Sequence, residues 1–580
     1  MLKADVLIIG SEGAGAMAAV EAKKLGLNPM ILTKGRIGKS GATCTAGADI
    51  NCDSYSIKHL LGLDGDERDT KEQFFTDTVV EGRYLNNQKM VEYHVEMIPD
   101  ILKDMIDNWG MKVTRKPCFP AGHTYGRGVM TQGVEIMRAM AKKVHDMNIP
   151  VYEHFYATDL IKKDGQVVGV AGLDLSTGEF VTVAGKAVII ATGGGMQLYP
   201  FSTAPDELTG DGHAMAMRAG ASMVDMEMVQ FMGCTLMDPP AMAGSSFPYC
   251  IGPDSGGMDI KMLNKYGHRF FEEKIDPVHK EHVTRDLLSR GIMNEVFEGN
   301  GSINGGVYYQ INHLPIEVID NLPKAKNEPI LSEDWEFMGF NYKSLIERMK
   351  QGHAIEVAVA SHFFCGGIYA TPECEVYGVP GLYAAGEVCG GTEGANRLSG
   401  NALTQIFVQG VLSARSAAEY VKNVSFCEEF PKEEVEKAER RVMAPLERDG
   451  ANPFEFKKAL QKSAWDNMCV VRTKDSLKRA FEDIEIFKAE LPGLGCRCKT
   501  PVYNREWIDA LQVESLISVY EMIAVSADAR KETRGAHYRK DYPDSSNEWL
   551  KNVVVSDKGG KMEGSTVPLV ISSITPPEEV

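Results

Sequence analysis

Between His362 and Asn401 three short runs hold side chains that could grip an anion and a flat cofactor. His362 stands just ahead of Cys365-Gly366-Gly367, where glycine lets backbone pass close to a planar group. Leu382-Tyr383-Ala384-Ala385-Gly386-Glu387 reads as a short apolar strand ending on a carboxylate, a common way to meet a ribityl or ribose hydroxyl. Arg397 lies beside Ser399-Gly400-Asn401, a glycine-rich helix start whose free N–H groups and dipole favour anions. One cofactor and one anionic substrate could meet here.

Other elements must build the remaining walls. Asp5 to Gly10 is apolar and nearly continuous, the pattern of a buried parallel strand. Gly10-Ser11-Glu12-Gly13-Ala14-Gly15 follows, then an alanine-rich helix to about Leu25 and a second strand, Pro29 to Thr33. That is half of a dinucleotide-binding unit, with a pyrophosphate at the helix N-terminus. Glu12 departs from the fingerprint, because it occupies the second glycine position, where a carboxylate is awkward unless it points away. Thr33 ends the second strand where an acidic ribose ligand is usual; a hydroxyl can still bind there. Lys39 to Ala48 is a small-residue loop suited to ligand contact, and residues 55–150 look mainly helical. Gly122 to Gly128 interrupts them, either as an active-site loop or as a turn.

Val151 to Gly185 alternates and carries Asp164-Gly165 and Thr177-Gly178, which predicts a small antiparallel ribbon. Ala187 to Ala191 returns to a buried strand ending in Thr192-Gly193-Gly194-Gly195. Asp211 opens the next helix and either holds a cofactor hydroxyl or caps the helix. Residues 235–352 are rich in Pro, Gly, Lys, Arg and Tyr, as a lid over a cofactor would be. Arg285 lies there on a helix; by itself it reads as an ion-paired or surface residue. From about Ser425 the chain reads as charged and helical. Val513, Leu516, Ile517, Tyr520, Ile523 and Ala524 mark one inward face, and a charged cluster, Lys531 to Arg539, follows.

The net charge of −18 argues against a general nucleic-acid binder. No apolar run reaches the roughly 20 residues that span a bilayer, so no direct membrane insertion is expected. The first residues run into a strand without a leader pattern, which points to a cytoplasmic protein, held at a membrane's inner face only through partners. The 12 cysteines are scattered, without the short regular spacings of an iron–sulfur ligand set.

Taken together the motifs resemble the flavoprotein subunit family of succinate dehydrogenase and fumarate reductase, which also includes L-aspartate oxidase and the adenylylsulfate reductase α subunit. The markers run through nearly the whole chain. They include the glycine loop, Thr33-Lys34, the Ser40 loop, Ala191-Thr192-Gly193-Gly194, Thr209 to Gly212 and Asp225 to Phe231. Thr284-Arg285-Asp286, His362 to Gly367, Gly386-Glu387, Gly394 to Leu398 and Arg534 to His537 continue the series.

The resemblance implies an α/β protein with a Rossmann-like FAD-binding domain at 1–234 and 353–424. It also implies an inserted α+β capping domain at 235–352 and a C-terminal helical domain with a tail at 425–580. It implies FAD contacts at Gly10, Gly13, Ala14, Gly15, Thr33, Lys34, Ser40, Gly41, Ala42, Ala191, Thr192, Gly193, Asp211 and Glu387. Further along it implies contacts at Arg397, Ser399, Asn401, Ala402 and Leu403. It assigns substrate carboxylate binding to His362 and Arg397 and the proton shuttle to Arg285.

Three departures bear on chemistry. Gly41 replaces the histidine that carries covalent FAD in respiratory members, so non-covalent FAD is expected. Met232 stands where dicarboxylate enzymes begin a His-Pro-Thr run, and Ser255-Gly256 lie where their Thr-Glu segment would be. The far end of the pocket has lost its usual donors; Met232 either lines it or only packs. The leading expectation is hydride transfer at a C=C or CH–CH bond beside a carboxylate, with electrons exchanged through an iron–sulfur, ferredoxin-like subunit. An adenylylsulfate reductase α-like flavoprotein and a non-catalytic electron relay are the alternatives.

Overall fold

The computed structural model describes residues 2–47, 49–114, 121–238, 240–245, 260–317 and 347–578. The main sheet is built around strand Leu2–Ile9, which pairs in parallel with Pro29–Thr33 on one side and Glu179–Ile190 on the other. Val151–Glu153 extends it in parallel beyond Pro29–Thr33, and Leu382–Ala384 pairs in parallel with the end of Glu179–Ile190. The predicted ribbon is present: Phe155–Lys163 and Gln166–Asp174 form an antiparallel pair that continues onto the start of Glu179–Ile190.

Both faces of the sheet are covered, which is why its strands read as continuous apolar runs. Val6 and Ile8 point into a core shared with helices Gly13–Lys24, Gln88–Asp107, Gly133–Asp146 and Asn401–Val421. Leu7 and Ile9 point into the larger core on the opposite face. The first strand ends at Gly10, where an added Cβ would fall 2.1 Å from the Ala191 carbonyl oxygen, and a Cβ on Gly15 would fall 2.0 Å from that of Gly10. Glycine is required at both places because backbone passes against backbone.

The lid-like region forms a second, antiparallel sheet with the order Val229–Leu236, Ile355–Phe364, Val307–Gln310, Lys261–Leu263. Helix Arg285–Phe297 packs on it so closely that a Cβ on Gly233 would meet the Leu288 side chain at 2.7 Å.

The C-terminal part opens, as expected, with helices Lys432–Glu447, Pro453–Met468, Lys474–Glu490 and Arg505–Ala529. Two points differ from the sequence reading. Arg505–Ala529 is buried on more than one face, with Leu511, Val519 and Met522 inside alongside the expected stripe, because it runs through the core rather than over it. Residues Lys551–Asp557 and Met562–Pro568 are not helical: they form a hairpin whose first strand pairs with Met223–Val224. Among the described residues no helix is long and apolar enough to cross a membrane.

Candidate active site

The three basic side chains singled out from the sequence converge. His362 comes from the end of strand Ile355–Phe364, Arg397 from the loop before Asn401–Val421, and Arg285 from the first position of its helix. Arg397 Nη2 lies 3.0 Å from His362 Nε2, and Thr203 Oγ1 lies 2.8 Å from His362 Nδ1. Arg285 donates to Ser399 Oγ at 2.9 Å and to Gln230 Oε1 at 3.3 Å. Gln230 closes the ring by donating to the Arg397 carbonyl at 3.0 Å and to Asn396 Oδ1 at 2.8 Å.

Electrostatics explain what such a ring is for. Burial, and next Arg285 and Arg397, push the His362 imidazole well below its usual value, so it is neutral. With Arg397 donating to Nε2, the remaining ring proton belongs on Nδ1, facing the Thr203 hydroxyl. Burial, then Arg285, bring Arg397 down to about 10, and each arginine disfavours the other's charge. Arg397 Nε is buried without a partner, and the guanidinium sits 4.5 Å from the centre of the Phe363 ring. A carboxylate entering here would relieve the repulsion and satisfy that N–H; bidentate geometry is what arginine offers such a group.

The C-terminal loop holds Arg397 in place. Ala536 N–H donates to the Ala395 carbonyl at 2.8 Å, and Gly535, at φ +51, has no room for a Cβ, which would lie 2.4 Å from that oxygen. The cluster around it is structural. Buried Arg530 bridges Asp225, Glu227 and Glu532, and Arg534 pairs with Glu532 at 2.7 Å.

Several of the residues expected to hold a flavin lie together. Glu387, pushed up to about 7 by burial, accepts from Gly194 N–H at 3.1 Å and Phe364 N–H at 3.0 Å. Gly193 and Gly194 leave room for it: a Cβ on Gly194 would lie 2.4 Å from Glu387 Oε1. Gly13 packs against Ile406, and Gly386 against Ala14, so the first helix and Asn401–Val421, which begins Asn401-Ala402-Leu403, present their starts together. Thr192 Oγ1 is buried with no partner, a group a bound cofactor could satisfy. Thr33 bonds Ser11 at 2.9 Å, and Ser40 closes its own turn onto Arg36. Gly41 and Ala42 lie where the Ser40 loop turns into a short helix.

Lys34 and Asp211 pair with each other at 2.8 Å, and Asp211 also accepts from Tyr156 and Thr209. The cap itself is Gly210, and Asp211 sits in the first turn. Glu12 turns its carboxyl group onto the Thr43 N–H, and burial raises it to about 8, so it is tolerated at that position as the neutral acid. Glycines where Cβ would collide, an orphaned hydroxyl and two converging helix starts fit FAD.

Met232 is buried and belongs to the main core. Ser255 and Gly256 lie outside the described residues. Sequence reasoning missed Thr203, which follows the glycine run without any motif of its own, and the buried acids Glu81 and Asp286 behind Arg285.

Residues 5–403 match the family model described as "FAD binding domain", and residues 457–580 match "Fumarate reductase flavoprotein C-term". An uncharacterized FAD-dependent oxidoreductase of Methanocaldococcus jannaschii is 34% identical over 97% of both chains. A fumarate reductase (CoM/CoB) subunit of Methanothermobacter marburgensis is 32% identical over 96% of this chain and 98% of its own. Sdh1 of Mycobacterium smegmatis superposes with a TM-score of 0.84 at 30% identity, covering 99% of this chain and 95% of that one. Fold, cradle and relatives define an FAD-dependent oxidoreductase acting on CH–CH groups. The chain belongs to the succinate dehydrogenase and fumarate reductase flavoprotein subunit family.

Proposed function

We propose that this chain reduces, or in reverse forms, the C=C bond beside a carboxylate, and exchanges electrons with an iron–sulfur subunit. The observation that carries the reading is the convergence of Arg397, His362 and Arg285 on one buried point. Arg397 and neutral His362 hold the carboxylate and favour the enolate-like charge that grows on it as the bond reacts. Arg285 holds a proton for the carbon that gains it. Arginine is a poor acid in water, so this role needs the desolvated setting that Ser399, Gln230 and the capping sheet provide. When bound, FAD supplies or takes up the hydride. FAD is dissociable, since Gly41 offers no side chain to bond it, and acid precipitation should release all of the flavin.

The preference for an acid whose far end is apolar rests on the sequence alone, where Met232 replaces the usual donor run, since Met232 itself packs in the main core. A cytoplasmic location follows the same reading. The test is anaerobic: flavin is bleached with dithionite, then fumarate, crotonate or cinnamate is added. Colour should return with an unsaturated acid, faster with crotonate or cinnamate than with fumarate. If no unsaturated acid restores colour while sulfite forms a flavin adduct, the adenylylsulfate alternative replaces this reading.

A further inference from the structure

One segment, Gly535 to Lys540, touches both halves of the site. Ala536 seats the loop that carries Arg397, through its N–H on the Ala395 carbonyl. Two residues further on, Tyr538 meets helix Arg285–Phe297, whose first residue is Arg285. Extended backbone covers only about 7 Å in two residues, so a single anchored stretch serves both arginines.

The segment is itself firmly held. Tyr538 and Arg539 pair in parallel with Val471 and Arg472, and Lys540 N–H donates to the Arg472 carbonyl at 2.8 Å. His537 and Arg539 are buried in the C-terminal part. His537 Nδ1 accepts from Arg472 Nη1 at 2.9 Å, and Arg539 Nη1 donates to the Ala527 carbonyl at 2.8 Å. Successive side chains of an extended strand face opposite ways, so half-buried Tyr538, between these two, is turned onto the capping helix.

On that helix Arg290, Asn294 and Phe297 follow at four- and three-residue spacing and form one face. The Arg290 guanidinium rests 4.8 Å from the centre of the Tyr538 ring, and Lys540 Nζ lies 4.7 Å from the centre of the Phe297 ring. Lys540 also pairs with Glu298, just past the helix end, at 3.2 Å. Arg290 Nε is buried without a hydrogen-bond partner, so the aromatic face is what this cation rests on. Asn294 Nδ2 reaches the Tyr538 hydroxyl only at 3.5 Å, the long limit of a hydrogen bond, which makes the ring the stronger hold. Another face of the helix lies on strand Val229–Leu236, through Leu288 against Gly233 and the Ser289 hydroxyl on the Phe231 carbonyl at 2.9 Å. A small cavity lined by Gln230, Asp286, Ser289, Gly535, Ala536 and Tyr538 lies between helix and segment. The two are not close-packed there, so the Tyr538 and Lys540 contacts set how far apart they stand.

We propose that Tyr538 is a positioning residue: its ring, against Arg290, sets where helix Arg285–Phe297 rests and hence the distance from Arg285 to an acid held at Arg397. The inference rests on the proposed function and adds what keeps its two arginines in register. Tyr538 acts through the helix and not on the reacting atoms. A misplacement of about 1 Å costs on the order of 100-fold in a positioned step such as proton delivery by Arg285. The grip of Arg397 and His362 on the carboxylate is built on other elements and should be spared.

The test takes flavin-loaded protein, reduced with dithionite and reoxidised by crotonate or fumarate. It compares wild type, Tyr538→Phe, Tyr538→Ala, Arg290→Met and the Tyr538→Ala/Arg290→Met double variant. Tyr538→Phe keeps the ring and should stay within about twofold of wild type in kcat. Tyr538→Ala and Arg290→Met should each lower kcat about tenfold or more, with KM within about threefold. The double variant should be no slower than the slower single one, because both remove the same contact. In flavin-free protein, amide hydrogen exchange over Arg285–Phe297 should quicken in both single variants and stay unchanged over Pro453–Met468. A wild-type kcat in Tyr538→Ala overturns the proposal and leaves the proposed function standing. So does a Tyr538→Phe as slow as Tyr538→Ala, an additive double variant, or a loss shared equally by kcat and KM, which marks general damage. If Tyr538→Ala does not fold, Arg290→Met decides from the helix side by the same two readouts. A wild type inert toward both acids overturns the proposed function itself, and this inference with it.

Discussion

At the scale of single residues, the decisive arrangement is a neutral histidine and two arginines that repel one another until an anion arrives. Arg397→Lys removes the planar fork and cannot reproduce its geometry. The KM for an unsaturated acid should rise about 10- to 100-fold, the worth of a charged hydrogen bond of about 1.5–3 kcal/mol, with flavin content unchanged. Arg285→Gln should instead lower kcat by about two to four orders of magnitude and leave KM nearly alone, as stopped-flow reoxidation would show. Equal loss of both constants in Arg285→Gln would contradict the division of labour. His362 and Arg397 were legible because each sits in a compact motif with glycine or a helix start beside it, whereas Arg285, read alone as an ion-paired or surface residue, was singled out only through the family resemblance. Glu81 was not, since only folding brings it to Asn396 and Asp286. Asp211 was half legible. Its place in the first helical turn follows from the local pattern, whereas Lys34 and Tyr156, its partners, come from distant strands.

At the scale of elements, the capping sheet and the C-terminal loop fix the site from opposite sides. The Arg530 network is fully buried, and Glu227→Gln would leave part of its charge uncompensated. Breaking such a pair costs about 3–5 kcal/mol, so the thermal midpoint should fall by several degrees while every flavin-lining residue remains. An unchanged midpoint would mean the network is not structural. Gly535→Ala tests the other support. A Cβ there meets the Ala395 carbonyl, so Arg397 should shift and turnover drop with the flavin still bound. The parallel strands and the first helix were readable from their unbroken apolar runs. The hairpin Lys551–Pro568 carried its own turn signal, Gly559-Gly560 between β-branched segments. It was overlooked because its second strand is largely exposed and lacks an apolar stripe, and because the preceding hundred or so residues are helical.

At the scale of the whole molecule, buried titratable groups set opposing limits on stability. Glu12 and Glu81 are pushed up from 4.5 to about 8, and Glu387 and Glu393 to about 7, chiefly by burial. In the folded chain they keep protons that the unfolded chain has released. The stability linked to them is complete below pH 4.5 and is lost as pH rises through 7 to 8. His94 and His123 are pushed down from 6.5 to about 3, and His213 to about 4, again by burial. There the unfolded chain takes up protons first, so the linked stability is present above 6.5 and lost on acidification. The two slopes cross between about 4.5 and 6.5, and the excess negative charge of −18 at pH 7 works in the same direction. Flavin-free protein should therefore melt highest within that window, and a midpoint still rising at pH 8 would refute the argument. Chain order gives the seat of Arg397 a meaning in time as well as space. The peptide that holds it is Gly535-Ala536, which is synthesised after the glycine loop and after Glu387 to Leu403. The residues expected to hold the flavin are thus all made before the peptide that seats Arg397, so cofactor binding and the completed arginine seat are separable in the order of synthesis.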